Sequence, residues 1–205
     1  MAPLRIGLTG GIAAGKSEAL AAFERLGAAT ISSDAIVHDL LDNEPMLSAI
    51  AERWGPGVIA AGSVDRPRVG EIVFADPEEL AWLEGRIHPL VGEEIASWLS
   101  SLPADAVAAV IEIPLLFETE MEGMFDATVS VHTSDEVRRA RADARGHSLV
   151  PEREARQLEQ SEKARRADHV VQNDGTIEDL ETKLSALIES LTGPAQAARP
   201  DPLQS

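Results

Sequence analysis

The 205-residue sequence contains no cysteine, which excludes disulfides, thiolate nucleophiles, iron–sulfur clusters and cysteine-ligated zinc. It has no tyrosine, only four phenylalanines and three tryptophans, too few aromatics for a surface on which nucleic-acid bases stack. Basic residues are also scarce, since 18 Lys and Arg against 35 Asp and Glu give a formal net charge of −17. A surface this acidic repels phosphate backbones and anionic membranes. We therefore expect neither a nucleic acid nor a membrane as a partner.

Long apolar runs are missing as well. No stretch reaches the roughly 18 consecutive apolar residues that a membrane-spanning helix needs. The residues around Leu4 lack the basic segment and the cleavage site of a secretion signal. These absences favour a cytoplasmic location.

The order of the apolar segments predicts an α/β fold with a parallel sheet flanked by helices. Residues 4–9 form a short apolar segment followed at once by glycines, which is typical of a buried strand leading into a loop. Helical spacing from 18 to 26 and a strand at 28–32 complete the first unit of this kind. Further strands are predicted at 107–113, 127–131 and 169–172, and further helices at 134–145, 151–166 and about 176–191.

Between the second and third strands the pattern turns helical, which predicts a helical insertion at about 35–102 with a small core of its own. His88-Pro89 interrupts one apolar stripe, so we expect a helix break there. We interpret residues 1–192 as one domain. Residues 193–205 hold three of the twelve prolines and almost no large apolar side chains, which predicts a disordered tail.

A phosphate-binding motif lies between the first strand and the first helix. Residues 10–17 read G-x-x-x-x-G-K-S, a P-loop whose glycines let several backbone N–H groups face one anion at a helix N-terminus. Lys16 then reaches the β and γ phosphates, and the Ser17 hydroxyl can bind Mg²⁺. A glycine-rich turn with a surface lysine is the simpler alternative, but the position between strand and helix favours the P-loop.

The motif alone leaves three classes open: a small-molecule kinase, a nucleotide-gated switch, and a motor or nucleic-acid ATPase. A guanine-type switch is expected to carry an Asn-Lys-x-Asp motif, and the sequence has no Asn-Lys pair. A motor is expected to have acidic residues ending a strand, for which Glu112 is the candidate. The small size and acidic composition favour the small-molecule kinase.

Asp34 follows the second predicted strand, at the sheet edge where open parallel sheets bind ligands. A carboxylate there could accept the proton of an attacking hydroxyl. Ser33 and Asp34 are equally suited to cap a helix. Position alone does not choose between the two roles.

Positive charge is concentrated between Arg138 and Arg166, where nine basic and five acidic residues give +4. Two arginine-bearing helices around Gly146 are typical of a kinase lid, here about 134–166, because guanidinium groups bind a transferring phosphoryl group. Arg141 and Arg145 are the favoured phosphate contacts. The alternative is a solvated helix pair with i,i+4 ion pairs such as Glu159 with Lys163.

Taken together, the motifs resemble those of the dephospho-CoA kinase family over roughly residues 4–191. The matching segments are Leu8-Thr9-Gly10-Gly11-Ile12, Asp34, Phe74-Ala75-Asp76-Pro77 leading to His88-Pro89-Leu90, Ile113-Pro114-Leu115-Leu116-Phe117-Glu118, and Ala167-Asp168-His169-Val170-Val171-Gln172-Asn173.

The resemblance implies transfer of the γ-phosphoryl group of ATP to the 3′-hydroxyl of dephospho-CoA. It implies that Asp34 is the general base and that Lys16 acts in catalysis. The residues implied to hold ATP are Gly11, Ala13, Ala14, Gly15, Lys16, Ser17, Glu18 and Arg141, with Ser17 on Mg²⁺. Those implied for the acceptor are Asp34, His88, Pro114, Leu115, Leu116, Glu118 and Arg145. Another small-molecule or nucleotide kinase and a non-catalytic nucleotide-gated module are the alternatives, and the oligomeric state stays open.

The sequence departs from the family pattern in the loop. The family more often has glycine and serine at the positions of Ala13 and Ala14, and alanine fits there only if its φ stays negative. Glu18 replaces a frequent threonine and brings a negative charge close to the phosphates, which we expect to weaken binding slightly. The family's Arg and Gln before Ala167 match either Arg156 with Gln160 or Arg153 with Gln157.

Overall fold

The computed structural model describes residues 3–103, 105–144 and 157–193, with the side chains of 142–144 left out. The chain divides into two compact units, Met1–Ile31 with Leu102–Ser205, and Ser32–Ser101. Arg145, most of the predicted tail and the middle of the predicted lid lie outside the described residues.

The strands, in chain order, are β1 (Leu4–Gly10), β2 (Ala29–Ser32), β3 (Ile59–Ala60), β4 (Ser63–Val64), β5 (Ala108–Glu112), β6 (Ala127–His132) and β7 (His169–Gln172). The helices are α1 (Lys16–Arg25), α2 (Ser33–Leu41), α3 (Glu44–Trp54), α4 (Arg66–Ala75), α5 (Pro77–Ser101), α6 (Asp135–Ala144), α7 (Gln160–Arg166) and α8 (Ile177–Thr192), with short 3₁₀ turns at Pro56–Val58 and Glu122–Met124. No described helix is long and apolar enough to cross a bilayer.

The first unit is built on a five-stranded sheet in the order β2-β5-β1-β6-β7. β1 pairs in parallel with both β5 and β6, and β6 pairs in parallel with β7. The predicted α/β fold is confirmed. A central parallel strand is covered on both faces, which is why Ile6 and Leu8 of β1 are completely buried.

Helices α1 and α8 share one side of the core. Ala19, Ala22 and Phe23 of α1 lie in the same buried cluster as Leu180 and Leu184 of α8. Each helix has a defined end. Gly27, at φ 87°, terminates α1, where the N–H of Gly27 bonds to the Glu24 carbonyl and that of Ala28 to the Phe23 carbonyl. This turn lets β2 begin at Ala29.

The second unit consists of α2 to α5 and one hairpin. Strands β3 and β4 pair antiparallel around Ala61 and Gly62, which both have positive φ, at 52° and 85°, as a two-residue hairpin turn requires. The sequence analysis missed this hairpin because each strand has only two residues and Ala61 is an unusual residue for such a turn.

The predicted break at His88-Pro89 is wrong, since α5 runs unbroken from Pro77 to Ser101 with Pro89 inside it. Proline removes one hydrogen bond, here to the Gly85 carbonyl. Continuous burial of Ile87, Val91 and Ile95 along one face holds the helix together across that position.

The predicted helix over 151–166 is also partly wrong. The described part of α7 begins at Gln160, and Glu159 is its extended N-cap residue. Residues 157–158, just before this N-cap, are also non-helical. Residues 145–156 lie outside the described part of the chain.

Candidate active site

The phosphate-binding motif adopts the predicted strand–loop–helix arrangement, with β1 ending at Gly10 and α1 beginning at Lys16. Gly15 precedes the helix at φ 96°, and Ala13 has φ 61°. The expectation that alanine keeps a negative φ in this loop is therefore wrong. A left-handed alanine costs roughly 1–2 kcal/mol, so the rest of the structure must hold the loop in this shape.

Gly15 has a second reason to be glycine. A Cβ atom on Gly15 would lie 2.2 Å from Nδ2 of Asn173 and 3.4 Å from Nη1 of Arg141. The first distance is far inside van der Waals contact. The close approach of Asn173 to the loop therefore requires the missing side chain.

The Lys16 ammonium group lies over the loop. Its Nζ donates to the carbonyl oxygens of Gly10 at 3.1 Å and Gly11 at 3.2 Å. The cation is thus kept at the loop from which the resemblance implies it binds phosphate. Ser17 follows at the start of α1 with an exposed side chain.

The charge of Glu18 is shared with a neighbouring arginine. Its Oε1 accepts a 2.9 Å hydrogen bond from Nη2 of Arg25, whose Nε also contacts Glu181 of α8. The guanidinium group faces both carboxylates, so it reduces the repulsion that Glu18 would exert on a phosphate. With Arg25 as its partner, Glu18 is expected to weaken ATP binding less than the sequence alone predicts.

Three side chains outside the motif contact the loop backbone. Asn173 follows β7 and donates from Nδ2 to the Ala14 carbonyl at 2.9 Å, and Nη1 of Arg141 approaches the same oxygen at 3.4 Å. Gln160 of α7 lies against Gly11, within 3.3 Å of where a Cβ would stand. Gln160 thus occupies a loop-supporting position, and Arg141 lies beside the loop as the resemblance implied.

Gln160 and Asp174 fix the segment that joins β6 to α6. The Gln160 amide bonds to both the carbonyl and the N–H of Thr133. Asp174 accepts hydrogen bonds from Gln172, from the Ser134 N–H and from the Thr133 hydroxyl. In that order of strength, these bonds hold the pKa of Asp174 well below its ordinary value. The contacts of Thr133 with Gln160 and Asp174 were not predicted, because these partners lie 27 and 41 residues away in the chain.

The turn after β5 begins beside the same loop. The Pro114 carbonyl accepts from the Thr9 hydroxyl at 3.3 Å and from Lys163. Leu116 is completely buried, so it presents no surface to a ligand in this structure. Glu118 binds the Leu158 N–H at 2.7 Å and Nζ of Lys163 at 2.9 Å.

Lys163 is fully buried, which is unexpected for a lysine in a charged helix. Burial lowers its pKa, and the contact with Glu118 offsets part of that effect. The alternative pairing with Glu159 is wrong: Glu159 lies at the N-cap of α7, and the carboxylate bonded to Lys163 is that of Glu118. The pair was missed because its partners are 45 residues apart in the printed sequence.

Asp34 and His88 belong to the second unit. Asp34 is the second residue of α2, whose N-cap is Ser32 and lacks a side-chain capping bond. The alternative that Ser33 or Asp34 caps this helix is therefore wrong. Asp34 is exposed, and no described residue forms a hydrogen bond or ion pair with its carboxylate. His88 is exposed on α5.

The parallel sheet and the loop between its central strand and α1 define a P-loop nucleotide-binding protein. A family model described as dephospho-CoA kinase matches residues 4–179. A dephospho-CoA kinase of Symbiobacterium thermophilum is 39% identical over 194 residues, covering 92% of this chain and 81% of the relative. The chain belongs to the dephospho-CoA kinase family.

Solved structures agree with this assignment. A crystal structure from Thermus thermophilus has a TM-score of 0.81 and 36% identity, covering 94% of this chain and all of that one. The dephospho-CoA kinase of Campylobacter jejuni has a TM-score of 0.68 and 26% identity, covering 92% and 96% of the two chains. The resemblance inferred from the motifs is confirmed, and the protein is a kinase that transfers phosphate from ATP to a hydroxyl group.

Proposed function

We propose that this member of the family transfers the γ-phosphoryl group of ATP to the 3′-hydroxyl of dephospho-CoA, with Asp34 as the general base. The observation that carries the proposal is the P-loop of a family member, in which Lys16 bonds to the Gly10 and Gly11 carbonyls and Asn173 bonds to the Ala14 carbonyl. The cytoplasm is the proposed location.

The loop supplies the ATP site. Backbone N–H groups from Gly11 to Ser17 would face the phosphates at the N-terminus of α1, while Lys16 neutralises the charge that builds up during transfer. Its Nζ donates to two neutral carbonyl oxygens, and an anionic phosphate is a stronger acceptor than a carbonyl. Arg141, whose Nη1 lies 3.4 Å from the Ala14 carbonyl oxygen, would add a second positive charge.

Mg²⁺ fits the donors at this loop. It prefers oxygen ligands and usually takes only one or two from the protein, the rest coming from water and phosphate. The Ser17 hydroxyl, exposed at the start of α1, would be that protein ligand. When bound, the ion neutralises charge on the β and γ phosphates.

Asp34 suits the role of base because nothing structural occupies it. Its carboxylate is exposed and free of described partners, unlike the N-cap residues Asn43, Asp65 and Thr176, whose side chains all accept capping bonds. In the reaction it would accept the proton of the 3′-hydroxyl as that oxygen attacks the γ-phosphorus and ADP leaves.

The acceptor is proposed to contact His88, Pro114 and Leu115, while Leu116, completely buried, supports the turn after β5. Arg145, outside the described residues, stays a proposed contact for an acceptor phosphate. The carboxylate of Glu118 is already engaged by Leu158 and Lys163.

A panel of acceptors tests the function. The purified chain is incubated with ATP, Mg²⁺ and one acceptor at a time, and ADP and product mass are followed. We expect coenzyme A to form from dephospho-CoA. Phosphorylation of a nucleoside monophosphate alone would instead identify a nucleotide kinase. ATP binding without turnover of any acceptor would identify a nucleotide-gated module.

A further inference from the structure

We infer that Glu118 is a positioning residue that, paired with Lys163, fixes α7 against the turn after β5, and that it does not contact the acceptor. The inference rests on the proposed function, because its main test measures transfer to dephospho-CoA. It differs from the role that the family resemblance implies for Glu118.

The carboxylate of Glu118 faces the protein rather than solvent. Its Oε1 accepts hydrogen bonds from the Leu158 N–H at 2.7 Å and from Nζ of Lys163 at 2.9 Å. The side chain is only 13% exposed, and Oε2 is also shielded from solvent. Oε1 is engaged by two charge-assisted hydrogen bonds, and the unbonded Oε2 is covered by the protein, so neither oxygen faces a ligand in this structure.

Lys163 joins this carboxylate to the turn. Its side chain is fully buried, and Nζ donates both to Glu118 and to the Pro114 carbonyl. That carbonyl also accepts from Thr9, the residue before the first glycine of the loop. A buried ion pair contributes little net stability compared with apolar residues, but it fixes geometry because each partner is costly to leave unpaired.

Helix α7 also contacts the nucleotide loop. Gln160 lies against Gly11 and bonds to Thr133. Because Gln160 comes three residues before Lys163, the two side chains lie close to the same face of the helix. One short helix thus contacts the ATP loop through Gln160 and the proposed acceptor turn through Lys163. The Glu118–Lys163 pair sets the distance between the two.

A double-mutant cycle separates positioning from substrate contact. Glu118→Ala, Lys163→Met and the double variant are compared by kcat and KM for dephospho-CoA, at a temperature where all are folded. We expect each single variant to lower kcat/KM at least tenfold, and the double variant to be no worse than Lys163→Met, because both single changes break one unit. Glu118→Gln, which can still accept from Leu158, should retain more activity than Glu118→Ala.

Two results would overturn the inference. One is a double variant whose loss equals the product of the two single losses, which indicates that Glu118 acts independently of Lys163, as a substrate contact would. The second such result is an unchanged kcat/KM in Glu118→Ala, Lys163→Met and the double variant. If the wild-type chain itself does not phosphorylate dephospho-CoA, the proposed function fails and not the pairing. The double variant is expected to fold, since it leaves no unpaired buried charge.

The chain offers a matched control and a readout independent of activity. Arg5 and Asp126 form a half-buried pair at the opposite, N-terminal end of the sheet, so Asp126→Asn should lower stability without changing kcat/KM. Amide hydrogen exchange at Leu158 should speed up in Glu118→Ala and stay slow in Asp126→Asn. Equal exchange at Leu158 in all variants would contradict the pairing.

Discussion

The side-chain amide of Asn173 donates a 2.9 Å hydrogen bond to the backbone carbonyl of Ala14, 159 residues away in the chain. A P-loop binds phosphate through N–H groups that point inward, which requires its carbonyl groups to point elsewhere. Asn173, only 4% exposed, holds one such carbonyl outward. The end of β7 therefore helps to shape a site formed by the first twenty residues.

We expect Asn173→Ala to lower the free energy of unfolding by about 1–3 kcal/mol, because the buried Ala14 carbonyl loses its closer donor and keeps only the 3.4 Å contact with Arg141. If about 1.4 kcal/mol of this serves to order the loop, ATP binding weakens about tenfold. Calorimetric titration with ATP and thermal unfolding measure the two effects. Asn173→Asp is the matched variant, since a carboxylate cannot donate to Ala14 and repels phosphate. It should bind ATP more weakly than Asn173→Ala, and equal ATP affinity in all three proteins would contradict this role.

Ala13→Gly should stabilise the protein. The φ of 61° at Ala13 is unfavourable for alanine and not for glycine. Glycine also increases the entropy of the unfolded chain, which costs about 0.4–1 kcal/mol. The net gain in the free energy of chemical unfolding is therefore about 0–1.6 kcal/mol.

Ala14→Gly is the control for that change. Ala14 is completely buried and is not among the residues with positive φ, so the same substitution there should destabilise by about 0.5–1 kcal/mol. Equal effects at both positions would show that backbone strain at Ala13 is not the cause.

Asp34→Asn should separate chemistry from stability. Loss of the base is expected to lower turnover by about 10²–10⁴-fold, while ATP affinity stays near that of the wild type because the loop is intact. The unfolding free energy should change by less than about 0.5 kcal/mol, as for an exposed residue without partners. Lys16→Ala is the contrasting variant and should weaken both ATP binding and transfer. Wild-type turnover by Asp34→Asn would remove the residue from the mechanism.

The lowered pKa of Asp174 predicts how the stability of the protein changes in acid. Its pKa lies below the ordinary value of 3.8, chiefly because Gln172, Ser134 and Thr133 donate to the ionised form. A carboxyl whose pKa is depressed on folding stabilises the folded state above about pH 4, and this contribution is lost as the pH falls further. Asp174→Asn should therefore be less stable than the wild type at pH 7, and the difference between the two should shrink as the pH falls below about 4. Thermal unfolding across this range is the measurement, and parallel curves for the two proteins would contradict the prediction.

Local sequence signals predicted the elements that depend on local chemistry. The apolar segment before the glycines predicted β1, the helical spacing at 18–26 predicted α1, and the helical pattern at about 176–191 predicted α8. The P-loop was recognisable because its residues are consecutive and its conformation follows from their order. The one local feature misjudged there was the positive φ of Ala13, which glycine at that position would have signalled.

Contacts between distant segments could not be predicted in the same way. In the sequence, Lys163 has the pattern of a surface residue of a charged helix, and only the fold shows that it is buried beside Glu118. Asn173 has the pattern of a turn residue, and only the fold shows that it bonds to Ala14. The continuity of α5 through Pro89 also depends on packing, since Ile87, Val91 and Ile95 outweigh the local preference of proline. Propensity describes a residue's own backbone, whereas these features depend on its neighbours in space.

The position of β1 has a consequence for synthesis. This strand leaves the ribosome well before its two neighbours in the sheet, β5 and β6, which come about a hundred residues later, and α1 is buried against α8, the last helix described. The loop motif ends at Ser17 and α8 ends at Thr192, so at roughly 5–20 residues per second the nascent P-loop waits about 9–35 s for α8. We expect the growing chain to become able to bind ATP only when α8 has emerged, so that nucleotide binding reports the packing of α8 against α1.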